Sequence, residues 1–375
     1  MKQRFDSVPR RVVIKLGTNL ITGGKARLSR KAMAAILEQV ARIHERGIQV
    51  IIVTSGAVAA GKQQLGNRRK RRDTPYRQMM AAVGQGRLMQ VYDELFAAHG
   101  ITVAQALLTK PDFLNRLGYL NARNTLMALL DIGVVPIVNE NDVVFVEELK
   151  GTTFGDNDNL SAMVANLVEA DQLIILSDVA GLYTADPCLH PDAKIIHEVD
   201  KIDLSIERLA GSTCGKGGTG GMATKIEAAK FATASGTSVV IAAGAEPDII
   251  TRLIEGEQLG TRFPASTSKV EGRKRWMLSQ PAKGQIIVDA GAATALLEQN
   301  RSLLPAGIIQ VKGRFERGNI VALVHPEENR IAMGIVNYDS VDIKKIMGSR
   351  SDRIETTLGY GYGQEVMHRN NLIIV

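Results

Sequence analysis

Four consecutive polar side chains, Asp156-Asn157-Asp158-Asn159, sit where a polar loop gives way to an apolar, Ala-rich segment. A helix beginning there leaves its first amides unpaired, and Asp and Asn side chains cap such amides. One cap is enough, so four such groups point to a further role, that of holding an ion, a charged substrate or a set of catalytic lysines. A well-capped surface helix is the plain alternative. A calcium loop is excluded, because its fifth and sixth positions would be Leu160 and Ser161 and its twelfth Leu167, where an oxygen ligand, glycine and glutamate are needed.

Two further features carry chemistry. The run Gly215-Lys216-Gly217-Gly218-Thr219-Gly220-Gly221-Met222-Ala223-Thr224-Lys225 contains G-x-G-x-x-G, but no strand precedes it and no Gly-Lys-Ser/Thr closes it. That argues against both a dinucleotide fold and a Walker loop. What remains is a side-chain-poor loop entering a helix with a lysine one turn in, suited to phosphate oxygens. The third feature is Lys15, which directly follows Val12-Val13-Ile14 and precedes Gly17. A lysine in a central strand needs an anionic partner, and glycine beside it lets a ligand approach the backbone.

These residues need a scaffold. Short β-branched runs recur at Val12–Ile14, Val50–Val53, Ile101–Val103, Val134–Val138, Leu173–Leu176 and Ser238–Ile241. Between them, helical spacing covers Ser29–Glu45, Met79–Ala98, Leu120–Asp131 and Ala223–Ser235. Continuous apolar strands alternating with amphipathic helices predict a mainly parallel sheet covered on both faces. Ligands then bind beyond the carboxyl ends of the strands, where the chain places Lys15-Leu16-Gly17-Thr18, Thr54-Ser55-Gly56, Asn139-Glu140-Asn141-Asp142, Ser177-Asp178 and Ala243-Gly244. After about Thr261 the pattern changes. Residues 262–282 carry two prolines and the basic knot Arg273-Lys274-Arg275, as a linker does, and short alternating runs punctuated by Gly313, Gly318 and Gly334 follow.

With 375 residues and 45% hydrophobic content the chain is long enough for two cored domains. No apolar run approaches bilayer length, the N-terminus is polar and basic, and two cysteines, Cys188 and Cys214, allow neither a disulfide framework nor a zinc cluster. A cytoplasmic location is expected. The formal charge of +7 is concentrated in part in Arg68-Arg69-Lys70-Arg71-Arg72, read as a solvated loop.

Taken in order, Val13-Ile14-Lys15-Leu16-Gly17-Thr18, Val53-Thr54-Ser55-Gly56-Ala57, Asn139-Glu140-Asn141-Asp142, Gly155 to Ala162, Gly181-Leu182-Tyr183-Thr184-Ala185-Asp186-Pro187 and Gly218 to Lys225 resemble the motifs of the amino-acid kinase family. The resemblance covers nearly the whole chain, its C-terminal part being similar to a PUA domain. It implies an α/β protein of three α/β/α layers plus a small strand-rich PUA-like domain. The expected division is a catalytic domain over 8–261, a linker over 262–282 and a PUA-like domain over 283–375. The implied activity is ATP-dependent phosphorylation of the side-chain carboxylate of glutamate, the first step of proline synthesis.

By the same resemblance, Lys15 and Lys225 balance charge on the transferring phosphoryl group and Asp158 holds them in place. Ser55, Gly56, Asp142 and Asn157 bind the amino acid, with Asp142 suited to its ammonium. Lys15, Gly17, Ser177, Asp178 and the loop Thr219, Gly220, Gly221, Met222, Ala223, Thr224 and Lys225 bind ATP. A carboxylate nucleophile is already ionised at neutral pH, so no general base is required. Magnesium is expected on the nucleotide phosphates and not in a protein cage. Also implied are inhibition by proline, a homo-oligomer and an interaction with glutamyl phosphate reductase. The alternatives are an aspartate, N-acetylglutamate, carbamate or UMP acceptor, and RNA binding through the PUA-like part; its modest excess of basic residues argues against the latter.

Overall fold

The computed structural model describes residues 8–66, 74–144, 157–211, 221–266, 281–299, 301–327 and 330–374. The chain divides into two compact units, Met1–Phe113 with Ala122–Lys269, and Leu114–Asn121 with Val270–Val375. The first unit is built on a seven-stranded sheet. Its strands are β1 (Arg11–Leu16), β2 (Gln49–Val53), β3 (Val103–Leu108), β4 (Val135–Glu140), β5 (Gln172–Ser177), β6 (Ser238–Ala243) and β7 (Thr261–Phe263). They lie in the order β3-β4-β2-β1-β5-β6-β7. Every pairing is parallel except β6 with β7. The carboxyl ends of six strands therefore share one edge, as the sequence pattern requires.

Among the described residues these strands are connected by helices α1 (Thr18–Thr22), α2 (Arg30–Glu45), α3 (Ala57–Leu65), α4 (Thr74–Ala97), α5 (Lys110–Leu114), α6 (Arg116–Asp131), α7 (Asn157–Leu167), α8 (Leu204–Gly211), α9 (Met222–Ala234) and α10 (Ile249–Ile254). Side chains alternate across β1. Val12, Ile14 and Leu16 enter one core cluster with Leu37 and Val40 of α2, Leu88 of α4 and Leu253 of α10. Lys15 belongs to the opposite face. The serine before α2 is a cap, Ser29 accepting from the Ala32 amide at 3.3 Å. Helices α3 and α4 meet backbone to backbone: a Cβ on Gly61 would stand 1.9 Å from the Met80 carbonyl oxygen, and one on Gly84 1.9 Å from that of Ala57.

Four boundaries differ from the sequence expectation. The strand expected at Ile101–Val103 runs instead over Val103–Leu108. It is a half-exposed edge strand, so Ala104 to Leu108 need no continuous β-branched run. Helices α4 and α6 begin earlier than Met79 and Leu120, through exposed and half-exposed first turns that carry no continuous apolar stripe. Arg262 and Phe263, assigned to the linker, are the end of β7.

The second unit holds a five-stranded sheet of β8 (Gln285–Val288), β9 (Ile308–Lys312), β10 (Ile320–Val324), β11 (Arg330–Ile335) and β12 (Leu372–Ile374), ordered β12-β11-β10-β8-β9. It also contains α11 (Ala290–Leu297), α12 (Ser340–Ile346) and α13 (Ile354–Leu358). Asp289 and Asp339 cap the first two, accepting from Ala292 at 2.6 Å and from Val341 at 2.8 Å. Ile286, Val288, Val321, Leu323 and Ile343 form its core. Among the described residues no helix is long and apolar enough to cross a membrane.

Candidate active site

Strand β1 is the fourth of seven, so Lys15 stands in the middle of the sheet and is 5% exposed. Its ammonium meets Asp158 Oδ1 at 2.5 Å. The other carboxylate oxygen accepts from Lys225 Nζ at 3.1 Å and from Thr224 Oγ1 at 3.0 Å. Asp158 is fully buried and Lys225 is 5% exposed. One carboxylate thus bridges two buried ammonium groups drawn from β1 and α9. Burial alone would raise its pKa, but the two lysines outweigh that and hold it at about 2. The three groups by themselves carry a formal charge of +1 in a largely buried setting, which favours an anion beside them.

The preceding residue on α7 looks elsewhere. Asn157 Nδ2 donates to Ser55 Oγ at 2.8 Å and lies 3.3 Å from Asn139 Oδ1. Ser55 follows β2, and Gly56 begins α3 at φ 99°, where a Cβ would also stand 2.4 Å from Ile21 Cδ1. Glycine is therefore required at that turn. Asp142 lies just past β4. Burial pushes its carboxyl above the ordinary value, opposed by the charge of Arg77. Among the described residues no hydrogen bond joins it to Ser55 or Asn157.

Beyond β5, Ser177 Oγ donates to Asp178 Oδ1 at 3.0 Å, and Asn19 Nδ2 donates to Asp178 Oδ2 at 3.0 Å. Partial burial would raise the Asp178 carboxyl, but these bonds, with a smaller pull from Lys225, hold it below the ordinary value. Gly17 caps α1, and a Cβ there would be 3.9 Å from Lys15 Nζ. Gly221 precedes α9, its carbonyl accepting from Thr224 Oγ1 at 2.9 Å, with Lys225 Nζ at 3.5 Å. Met222 is buried and Ala223 exposed. Thr219 and Gly220, like Asp156 and the basic run Arg68–Arg72, lie outside the described residues.

Several contacts around this site are not readable from sequence. Asn139 donates to Gln85 Oε1 of α4 at 2.8 Å. Thr54 Oγ1 and Tyr92 OH are 2.6 Å apart in the core. Asn159, the last of the four polar residues at the start of α7, donates to Glu227 Oε2 at 3.2 Å and ties α7 to α9. Asn139 carried a signal, its place at a strand end; Gln85 and Tyr92 lie within a long helix and carried none.

A parallel sheet whose central strand supplies one lysine, whose crossover helix supplies a bridging aspartate and whose glycine-preceded helix supplies a second lysine defines a class. The family model described as the amino acid kinase family matches residues 10–243 and that of the PUA domain residues 284–358. The chain belongs to the amino acid kinase family. Within it the chain is 53% identical to a glutamate 5-kinase of Dehalococcoides mccartyi, over 98% of each chain. It is 49% identical to one of Herpetosiphon aurantiacus, covering 97% of this chain and 98% of the relative. It is 48% identical to one of Deinococcus radiodurans, covering 97% and 100%.

Proposed function

We propose that this protein is a glutamate 5-kinase, moving the γ-phosphoryl group of ATP to the side-chain carboxylate of L-glutamate and forming γ-glutamyl 5-phosphate at the entry to proline synthesis. The observation that carries the reading is the buried Lys15–Asp158–Lys225 triad at the carboxyl edge of the parallel sheet. The glutamate carboxylate attacks the γ-phosphorus while the bond to the β,γ-bridging oxygen breaks, and negative charge moves onto the departing ADP. Lys15 and Lys225 stabilise the equatorial and leaving oxygens, Asp158 fixes both ammonium groups, and no proton needs to be removed from the nucleophile.

Ser55, Gly56, Asn157 and Asp142 hold the amino acid, Asp142 facing its ammonium. Gly17, Ser177, Asp178 and the residues from Thr219 to Lys225 hold the nucleotide. Both oxygens of Asp158 are engaged by Lys15, Lys225 and Thr224, and no group of three or more His, Cys, Asp and Glu side chains placed for a metal occurs among the described residues. This donor set fits magnesium carried on the nucleotide phosphates, where it supplies further charge neutralisation. The catalytic part is assigned to 8–263, which keeps β7 whole, and the PUA-like part to 283–375. Competition by proline at the amino-acid site, a homo-oligomer, contact with glutamyl phosphate reductase and a cytosolic setting complete the proposal.

The test is an ATP- and magnesium-dependent hydroxamate assay with glutamate, aspartate, N-acetylglutamate and carbamate as acceptors, repeated with millimolar proline. Turnover with glutamate at least tenfold above the others is expected. Preference for another acceptor overturns the substrate assignment, and insensitivity to proline removes the inhibitor.

A further inference from the structure

Helix α7 is gripped at its far end as firmly as at the site. The chain leaves it through two backbone bonds, Glu169 N to Asn166 O at 3.1 Å and Ala170 N to Ala165 O at 2.8 Å, the pattern of a helix closing on a left-handed residue. That residue is Glu169, at φ 54°, a conformation glycine adopts more readily. The next two carbonyls go to arginines: Leu167 O accepts from Arg123 Nη1 of α6, and Val168 O from Arg11 Nη1 of β1. Arg123 also donates to Glu169 Oε1 at 2.8 Å, which accounts for a glutamate at that turn. Gln49 Oε1 steadies Arg11 at 2.9 and 2.7 Å.

This is a costly way to end a helix. Arg11 is 9% exposed and Arg123 3%. Burial lowers the Arg11 pKa, and the neighbouring charge of Arg123 lowers it further. Two water molecules could serve the same carbonyls at an exposed end.

The geometry gives the arrangement a purpose. Arg11 and Lys15 are four residues apart on β1, hence on one face and about 13 Å apart. Asp158 and Val168 are ten residues apart along α7, about 15 Å. Strand and helix run antiparallel, so charged side chains from the two ends of β1 hold the two ends of α7. The helix cannot slide along the strand without breaking one grip.

We infer that Arg11 and Arg123 are positioning residues for phosphoryl transfer, fixing α7 lengthwise so that Asp158 holds Lys15 and Lys225 in register. The inference rests on the reading of those lysines as the transfer centre. A displacement near 1 Å at such a centre costs on the order of 100-fold in rate, so a looser far end is felt in kcat.

The test is a double-mutant cycle of Arg123→Met with Asp158→Asn, following kcat, KM for ATP and Tm. In the native background Arg123→Met lowers kcat by about tenfold with KM for ATP within about twofold, and Arg123→Lys regains part of the loss. In the Asp158→Asn background the same substitution lowers kcat by less than about twofold, while its effect on Tm stays full size. A full tenfold loss in both backgrounds, or no loss in the native one, overturns the inference and leaves the reading of the site intact. Undiminished kcat in Asp158→Asn overturns both. If Arg123→Met does not fold, Arg123→Lys carries the same cycle.

Discussion

Asn157 and Asp158 are consecutive on one helix, yet Asn157 reaches Ser55 beyond β2 at 2.8 Å while Asp158 reaches Lys15 at 2.5 Å. Successive helical residues differ by about 100° around the axis, so a single turn addresses two different partners. The contact to Ser55 and the contacts to the two lysines are thereby fixed to one rigid element.

Lys225→Ala removes one of the two cations and leaves the other paired with Asp158. We expect kcat to fall by ~100-fold or more with KM for glutamate nearly unchanged. Steady-state kinetics with intact kcat and a raised KM would refute the assignment, and Lys15→Ala should behave alike.

Asn157→Ala should do the reverse, raising KM for glutamate by about tenfold through the loss of one or two hydrogen bonds, with kcat within a fewfold of native. A collapse of kcat at saturating glutamate would move Asn157 from the binding group into the transfer group.

The Asp158 carboxyl is held at about 2, below its ordinary value of 3.8. A depressed carboxylate stabilises the fold above its unfolded pKa, and that contribution disappears as pH falls through the folded value. Urea midpoints should therefore drop between pH 4 and about pH 2 more steeply in the native protein than in Asp158→Asn. Parallel acid limbs would contradict the ion-pair assignment.

Asp142 runs the other way. Its raised pKa means that more of it is protonated at mildly acidic pH than an ordinary carboxyl would be. If it faces the glutamate ammonium, KM for glutamate rises as pH falls, and Asp142→Asn flattens that profile at a higher KM. A pH profile unchanged by the substitution excludes the contact.

Gly84→Ala places a methyl 1.9 Å from the Ala57 carbonyl oxygen, where helices α3 and α4 touch. Backbone cannot yield as a side-chain tip does, so a loss of about 1–3 kcal/mol is expected in denaturant titration. Because α3 starts at Gly56, KM for glutamate should rise with it. Gly86→Ala, which meets nothing within 4 Å, is the control.

Much of this architecture was legible because it rests on local patterns. The β-branched runs marked the central strands, and the polar residues ending them marked the functional edge. Lys15 stood out because its strand was otherwise apolar. What escaped depends on partners distant in the chain: Asn139 finds Gln85 54 residues earlier, and Arg11 finds the α7 terminus 157 residues later. A surface arginine and a buried capping arginine look the same until the helix they close is in place. The edge strand β3 was displaced for a different reason, since a half-exposed strand can be built from Ala and Gln.

Strand β1 divides the sheet between β4-β2 on one side and β5-β6 on the other. Under the proposed roles, Ser55, Gly56 and Asp142 lie at strand ends on the first side, and Ser177 and Asp178 lie at one on the second. Lys15 and Gly17 of the central strand's carboxyl end, with Asp158 against Lys15, sit on the divide. Such a sheet has a watershed, and α7 ties its crest to the first slope, since Asn157 reaches Ser55 while Asp158 reaches Lys15.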